Sequence, residues 1–460
     1  MAPRSWSDGL HIDLLILIFL NLHCIADRAS FAVVCQSWKR AKLQAETGPF
    51  ANPPPRQIPW LLYPTRSHGR GPSITSFLSR PGRRIRSLDD DISRGRLCGS
   101  YPGGWVAAVL TPWGHQVLFN VFSRARINLP HRMRFVASWF SAVTPVDIRM
   151  VVLSSTPNST GGHGCFAGAI VRGTANVAFC RPGVDEYWSA CLHIDEGLLD
   201  MVYFDGEDQL RGFHVLTEGG HVVAFTPAAN NVGNPGTTFV PRYRYNSLTR
   251  LLPDTMLPYL PSSATPVSIT RYLVVSRQRL LMVARYFSQR SCGTSRTLLF
   301  RVFQMRVVLV EPQGRGRMVS WVELDGLDGR VLFIGRGCSR AYEASELPGF
   351  KEGRIYFIDD AKTDPPVASD EGPSSDNGMY SMSSAVVRPS MDSTVYGTKT
   401  SLCWTRAMNT ATNNQAKTVL KEMTEAQVKA SSGSKIASIR WNFPTEPLSS
   451  KLSPPFWVAP

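Results

Sequence analysis

The sequence predicts a mainly β protein with a small N-terminal α domain. Three observations predict it. Between Trp6 and Ala45, apolar residues recur at helical spacing in two short patterns. From Trp60 onward, short runs rich in Val, Leu, Phe and Tyr follow one another, separated by Gly or Pro clusters. Between the two regions, Gly48, Pro49, Pro53, Pro54, Pro55 and Pro59 exclude regular structure and mark a semi-rigid linker.

In the first helical pattern, Leu15, Ile18, Phe19 and Leu22 share one face. Ile12, Leu14, Ile16, Leu17 and Leu20 fall on the other faces. A helix apolar all round must be buried all round. So short a stretch buries too little of its own surface to provide that cover. The surplus apolar surface therefore calls for a partner. The second pattern opens at Asp27, a suitable N-cap, and carries Phe31, Val34, Cys35 and Trp38 on one face. Lys39, Arg40 and Lys42 follow, where cations suit a helix C-terminus. Two other readings exist for this stretch: an ordinary amphipathic hairpin, or a secretory signal. Asp8 and Asp13 stand where a signal needs positive charge, and no small-x-small cleavage site follows cleanly.

The length of 460 residues suits two or three domains, and the hydrophobic fraction of 43% suits a sizeable core. The longest apolar run, Leu14 to Leu20, falls far short of the roughly 20 residues of a membrane span, so no membrane partner is expected. Net charge is +15, but the arginines are scattered, with Arg80, Arg83, Arg84 and Arg86 the nearest to a cluster. Without a recognition motif, dispersed charge does not predict a nucleic-acid partner. Nine cysteines at irregular spacing read as reduced thiols of a cytoplasmic or nuclear protein. The sequon Asn158-Ser159-Thr160 is then silent.

The β region reads as strands over Val106–Leu110, Val117–Phe122, Ile148–Leu153, Phe166–Val171, Val177–Cys180, Leu199–Phe204 and Val222–Thr226. Further runs are Val267–Ser276, Leu280–Phe287, Leu298–Gln304, Met318–Leu324, Val331–Ile334 and Arg354–Ile358. No helical pattern alternates with them, which points to a propeller or a large sandwich. Gly103-Gly104, Gly161-Gly162 and Gly219-Gly220 recur about 58 residues apart, a spacing suggestive of a repeat. The boundaries are then 4–45 for the helical module, 46–59 for the linker, 60–390 for the β domain, 391–445 for a polar insert, and 446–460 for a tail returning to the β domain. Within the insert, Gln415 to Lys429 offers only a weak helical face. Asp364 to Asn377 reads as a loop.

No catalytic set emerges. His163, Cys165, Cys180 and Cys191 match no zinc spacing, so no metal or other cofactor is expected. No nucleophile elbow or phosphate loop is present; Gly314-Arg315-Gly316 and Gly335-Arg336-Gly337 read as β-turns. Asp359-Asp360 could hold a cation, but turn-forming acids bonded to the backbone are the plainer reading. Trp105, Trp113, Trp139 and Trp188 read as packing residues, or in part as the lining of a propeller mouth.

Leu10, Asp13, Leu14, Leu15, Ile18 and Leu22, followed by Val34, Cys35, Ser37 and Trp38, resemble the F-box, with His11 in place of its usual Pro. The resemblance implies an F-box three-helix module that docks a Skp-type adaptor and through it a cullin ligase core. The implied adaptor contacts are Leu10, His11, Leu14, Leu15, Ile18, Val34, Cys35 and Trp38. Farther on, Pro59-Trp60-Leu61-Leu62, Cys98-Gly99-Ser100, Gly104-Trp105, Cys180-Arg181-Pro182-Gly183, Arg354 to Asp360, Gly378-Met379-Tyr380 and Pro454-Pro455-Phe456-Trp457 are landmarks. In that order they resemble plant F-box proteins with a KIB-type domain. That resemblance implies a kelch-like β-propeller-like domain with no catalytic set. The expected function is a non-catalytic substrate-recognition subunit of a Skp–cullin–F-box ubiquitin ligase, its β domain holding a client protein. The alternative is a propeller binding module uncoupled from any ligase.

Overall fold

A computed structural model describes residues 10–22, 25–47, 59–63, 73–75, 84–87, 92, 95–110, 114–137, 140–157, 164–172, 176–190, 194, 196–206, 211–227, 239–247, 267–289, 295–308, 318–347, 350–358, 360, 376–389 and 456–458. The expected insert over 391–445, the loop over 364–375 and the turn at 314–316 lie outside these residues.

Three helices open the chain: α1 (Ile12–Leu20), α2 (Ile25–Ala32) and α3 (Gln36–Thr47). Their shared core is Leu15, Phe19, Phe31, Ala41 and Ala45. Leu15 and Phe19 stand one turn apart and face that core, as the spacing predicts. The Phe31–Trp38 pattern spans two helices rather than one. The chain breaks at Val33–Cys35, where Val33 and Val34 are β-branched and resist helix. The Cys35 carbonyl then accepts the Lys39 N–H at 3.0 Å to start α3. Asp27 consequently lies inside α2 and is not its N-cap. Arg28 fastens α2 to α1, donating through Nε to the Leu22 carbonyl at 2.7 Å while its guanidinium lies over the Phe19 ring.

Apart from two 3-10 turns at Pro102–Gly104 and Ala344–Glu346, the remaining elements among the described residues are strands in five sheets. The first sheet contains β1 (Trp60–Tyr63), β2 (Ser73–Thr75) and β3 (Arg84–Ser87). The second is the antiparallel meander β4 (Arg96–Tyr101), β5 (Trp105–Leu110), β6 (His115–Asn120) and β7 (Arg126–Leu129). The third contains β8 (Arg132–Ala137), β9 (Phe140–Pro145), β10 (Asp147–Leu153), β11 (Ala167–Arg172), β12 (Val177–Cys180) and β13 (Trp188–Ala190).

The fourth sheet is double. One meander is β14 (Leu198–Phe204), β15 (Gly212–Thr217), β16 (Val222–Pro227) and β17 (Phe239–Ser247). The other is β18 (Val267–Ser276), β19 (Arg279–Gln289), β20 (Ser295–Val308) and β21 (Met318–Glu323). A short parallel pairing of β17 with β21 joins them. The fifth sheet contains β22 (Arg330–Ile334), β23 (Arg340–Glu343), β24 (Arg354–Phe357), β25 (Gly378–Ser381) and β26 (Val386–Pro389). The last strand, β27 (Phe456–Val458), returns to the first sheet and pairs antiparallel with β1, Trp60 opposite Val458.

Side-chain alternation turns these sheets into a ring. In β5, Val106 and Ala108 face a core shared with the first and fifth sheets, while Ala107 faces a core shared with the third. In β22, Val331 and Phe333 join the former core, and Leu332 and Ile334 join a core shared with β18–β20. In β12, Val177 and Phe179 pack toward β14–β16, while Ala178 and Cys180 pack toward the second sheet. Both faces of each such strand are buried, so the runs are apolar at every position and not only at alternate ones. Sheets stacked face to face in a closed circuit form a β-propeller. This settles the choice between propeller and sandwich.

The glycine pairs are not a structural repeat. Gly103-Gly104 turns the chain between the first two strands of its sheet, and Gly219-Gly220 between β15 and β16. What the two pairs share is local: Gly103, Gly104 and Gly220 have φ of 76°, 78° and 78°, which tight turns demand. Gly161-Gly162 lies outside the described residues. Among the described residues, no helix is long and apolar enough to cross a membrane.

Candidate functional site

The helical module leaves apolar side chains in water. Among the described residues, eight large hydrophobics are exposed, and five of them, Leu14, Leu17, Val33, Val34 and Leu43, belong to this module. Leu14 and Leu17, 50% and 56% exposed, sit three apart on α1, turned away from the face that carries Leu15 and Phe19. His11 begins the helix. Its carbonyl accepts the Leu14 and Leu15 N–H groups, and its Nδ1 accepts the Asp13 N–H at 3.5 Å. A residue departing from the F-box pattern therefore serves as a helix cap.

The second feature is a cavity of 610 Å³ at the middle of the propeller. Leading edge strands wall it: β4 with Ser100 and Tyr101, β10 with Val152, β14 with Asp200, β18 with Leu273, and β23 with Arg340. Among the described residues its lining holds one carboxylate, Asp200, and one guanidinium, Arg340, and no histidine. Asp200 staples two edges together. Its Oδ1 accepts the Met201 N–H at 2.9 Å, and its Oδ2 accepts the Leu273 N–H of β18 at 2.8 Å. Burial nevertheless pushes its carboxyl up to about 7, against the pull of those two N–H groups. On β15, His214 is buried with its ring against Phe204, and burial pulls it down to about 4.

A third feature is a buried ionic cluster between the fourth and fifth sheets. Arg285 of β19 is fully buried. Its Nε donates to Thr297 Oγ1 at 2.8 Å, its Nη1 to Asp360 Oδ1 at 3.2 Å, and its Nη2 to Asp376 Oδ2 at 2.9 Å. The Tyr272 hydroxyl also donates to Asp360 Oδ1, at 2.7 Å, and the Arg336 N–H donates to Asp360 Oδ2 at 2.7 Å. The guanidinium lies 5.0 Å from the Phe357 ring centre. Every charged group here has hydrogen-bond partners, which is the condition for a tolerable buried charge.

The KIB1-4 beta-propeller profile matches residues 76–381, more than half of the chain. The chain belongs to the KIB1-4 beta-propeller family. No curated protein matches it. The family match covers β3 to β25 and leaves α1–α3, β1, β2, β26 and β27 outside.

The KIB1-4 propeller's landmarks acquire physical roles. A Cβ on Gly99 would collide with the Tyr101 hydroxyl and the Val151 carbonyl, which hydrogen-bond each other at 2.7 Å. Trp105 and Trp188 are buried between the second and third sheets and do not line the central cavity. Trp188 Nε1 donates to the Pro130 carbonyl at 2.6 Å and to Gln116 Oε1 at 3.1 Å. Trp113 and Trp139 lie outside the described residues. Asp360 meets a cation, the Arg285 guanidinium, as well as backbone; Asp359 is outside the described residues.

Of the suggested zinc group, His163 and Cys191 are likewise outside. Cys165 and Cys180 are buried thiols, and burial pushes Cys180 well up. Among the described residues, no three His, Cys, Asp or Glu converge to hold a metal.

The eight residues named for adaptor contact divide three ways. Leu15 is in the module's core. Leu10, Ile18, Cys35 and Trp38 are half-buried, with Trp38 against Phe31 at 4.4 Å. His11, Leu14 and Val34 are exposed. Sequence reasoning placed Leu17 on the surplus apolar faces without naming it as a contact, and missed Val33 and Leu43 on the outer surface and Asp200, Arg285 and Arg340 inside the propeller. Asp200 and Arg285 did carry a signal. Each is a lone charge within an apolar strand, in Leu-Leu-Asp-Met-Val and Met-Val-Ala-Arg-Tyr-Phe, and such a charge must find a buried partner.

Proposed function

We propose that this chain is the substrate-recognition subunit of a Skp–cullin–F-box ubiquitin ligase. In this reading α1–α3 dock a Skp-type adaptor, and the propeller holds a client protein. The chain contributes position and not chemistry: it raises the effective concentration of a client lysine near the transferring enzyme. The reading places the protein in the cytoplasm or nucleus. The observation that supports it most is the concentration of exposed Leu and Val side chains on a module that already has a complete core. A cluster of exposed apolar residues marks an interaction surface.

The test is co-purification of the full chain with a Skp-type adaptor. Leu14→Asp with Leu17→Asp should weaken binding at least about 30-fold, the scale of a hot-spot loss of about 2 kcal/mol, while leaving the fold intact. Adaptor binding unchanged by that double substitution would refute the docking face.

The second reading, a propeller binding module uncoupled from the ligase, is favoured by the family match, which stops short of the helices. Adaptor binding that is undetectable and returns on His11→Pro would support it.

A further inference from the structure

We propose that the open edge of β9 is a docking site, where an acidic, extended segment of a partner protein adds to the sheet as one more strand. The inference concerns the rim of the propeller and does not depend on the helices docking an adaptor. A propeller blade needs four strands, and β10 to β13 supply them. The β8–β9 hairpin is an addition. It precedes β10 in the chain, yet β8 pairs parallel with β13, Trp188 opposite Met133, and so leaves β9 outermost. The hairpin is firmly seated. Met133 is buried in the core between the second and third sheets, and the Pro130 carbonyl, just before β8, accepts Trp188 Nε1 at 2.6 Å. An edge held in place this way loses little freedom when a strand joins it.

The register shows which backbone groups face outward. The Val146 N–H donates to the His131 carbonyl at 3.2 Å, so Thr144 and Ala142, at alternate positions, also turn their backbone groups toward β8. Ser141 and Val143 turn theirs away, toward a side with no strand among the described residues. Pro145, without an N–H, ends this edge. Open edges are commonly guarded by charge. Among the described residues the other outer edge strands are: β3 carries Arg84 and Arg86, β7 carries Arg126, and β26 carries Arg388. β9 reads Phe-Ser-Ala-Val-Thr-Pro, has no charge, and leaves Val143 42% exposed.

Charge decides the occupant. Arg132 and Arg134 of β8 stand opposite Pro145 and Val143 and share their face. Arg132 is exposed, the Arg134 guanidinium lies 4.2 Å from the Tyr187 ring centre, and neither forms an ion pair among the described residues. A strand added to β9 runs two strand spacings, roughly 10 Å, from β8, about one Debye length at 0.1 M salt. Asp147, the nearest carboxylate along the chain, already faces Arg96 and Arg172. Glu186, next in sequence to Tyr187, offsets part of the charge, but the whole chain carries +15. A second copy of the chain would bring the same arginines and the same net charge to the contact, so an acidic partner fits better.

Fluorescence anisotropy on the full chain tests this with a labelled, capped hexapeptide, Glu-Val-Glu-Val-Glu-Val, and its Lys-Val counterpart. The acidic peptide should bind saturably and more weakly as salt rises, and the basic one at least about tenfold more weakly still. Val143→Pro removes an outward N–H without touching the β8 ladder, so it should cost at least about tenfold in affinity at an unchanged melting temperature. Arg132→Glu, at an exposed position, should also weaken the acidic peptide, and it carries the test if Val143→Pro shifts the melt. N-methylation separates strand addition from charge alone. Methylating one alternate set of the peptide, the Glu or the Val residues, should abolish binding, and methylating the other should spare it. Equal affinity for the acidic and basic peptides, tolerance of both methylated sets, no saturable binding, or a Val143→Pro protein of unchanged melt that binds as wild type does would each overturn the proposal. So would a dimer in sedimentation velocity that Val143→Pro dissolves, because it would give this edge to a second copy.

Discussion

Asp200 and His214 sit on neighbouring strands and are both buried, yet their protonation pulls stability in opposite directions. Burial raises the Asp200 carboxyl from 3.8 to about 7 and lowers the His214 imidazole from 6.5 to about 4. Between pH 4 and 6.5 the folded chain therefore holds both groups neutral, whereas the unfolded chain holds an Asp anion and a His cation. Folded and unfolded states then carry the same number of protons on this pair, and its contribution is nearly flat with pH.

Each group alone gives a slope of about 1.4 kcal/mol per pH unit. Asp200→Asn leaves His214 uncompensated. The unfolded state then binds the extra proton, and stability relative to wild type should fall by about 3 kcal/mol as pH drops from 6.5 to 4. His214→Gln leaves Asp200 uncompensated. The folded state then binds the extra proton, and stability relative to wild type should rise by about 3 kcal/mol as pH drops from 7 to 4. Urea midpoints measured every half unit across that range read both slopes. If the two variants track wild type in parallel at every pH, the burial argument for the pair is wrong.

Arg285→Met should cost about 3–5 kcal/mol, because it strands two carboxylates, Asp360 and Asp376, in the propeller interior. Adding Asp360→Asn and Asp376→Asn should recover most of the loss in urea denaturation, and a triple variant no better than the single one would count against an electrostatic cause. Leu15→Ala should cost about 2–5 kcal/mol and reduce helix content by circular dichroism, whereas Leu17→Ala, at an exposed site, should change neither by more than about 0.5 kcal/mol. Deleting residues 456–460 removes the strand paired with β1 and should lower the melting temperature by several degrees; an unchanged melt would mean that this pairing adds nothing to the ring.

Much of the propeller was legible because its strands are buried on both faces. Runs such as Val331–Ile334 and Leu280–Phe287 are apolar at nearly every position, and each lies in an observed strand. Strands that escaped notice include β4, β8, β9 and β15, six residues each, and two that are short or interrupted. β13 has only three residues, and β17 carries Pro241 and two arginines. Their strand character comes from pairing with neighbours, which local composition does not encode. The central cavity was illegible for a related reason. Its wall takes two to four residues from each of five strands far apart in the chain, and only the ring brings Ser100 and Arg340 together. On α1 the spacing separated core Leu15 from exposed Leu14, but with apolar residues on every face it could not say which of them would meet a partner.

The pairing of Trp60 with Val458 has a consequence for how the protein is made. A ribosome adding 5–20 residues per second reaches β27 roughly 20–80 s after β1 has emerged. Throughout that interval one side of β1 presents unsatisfied backbone amides and carbonyls, an open invitation to pair with another nascent chain. The blade that holds β1 is completed only once β27 has been made. Until β27 arrives, that edge of β1 is where a second strand could pair in its place.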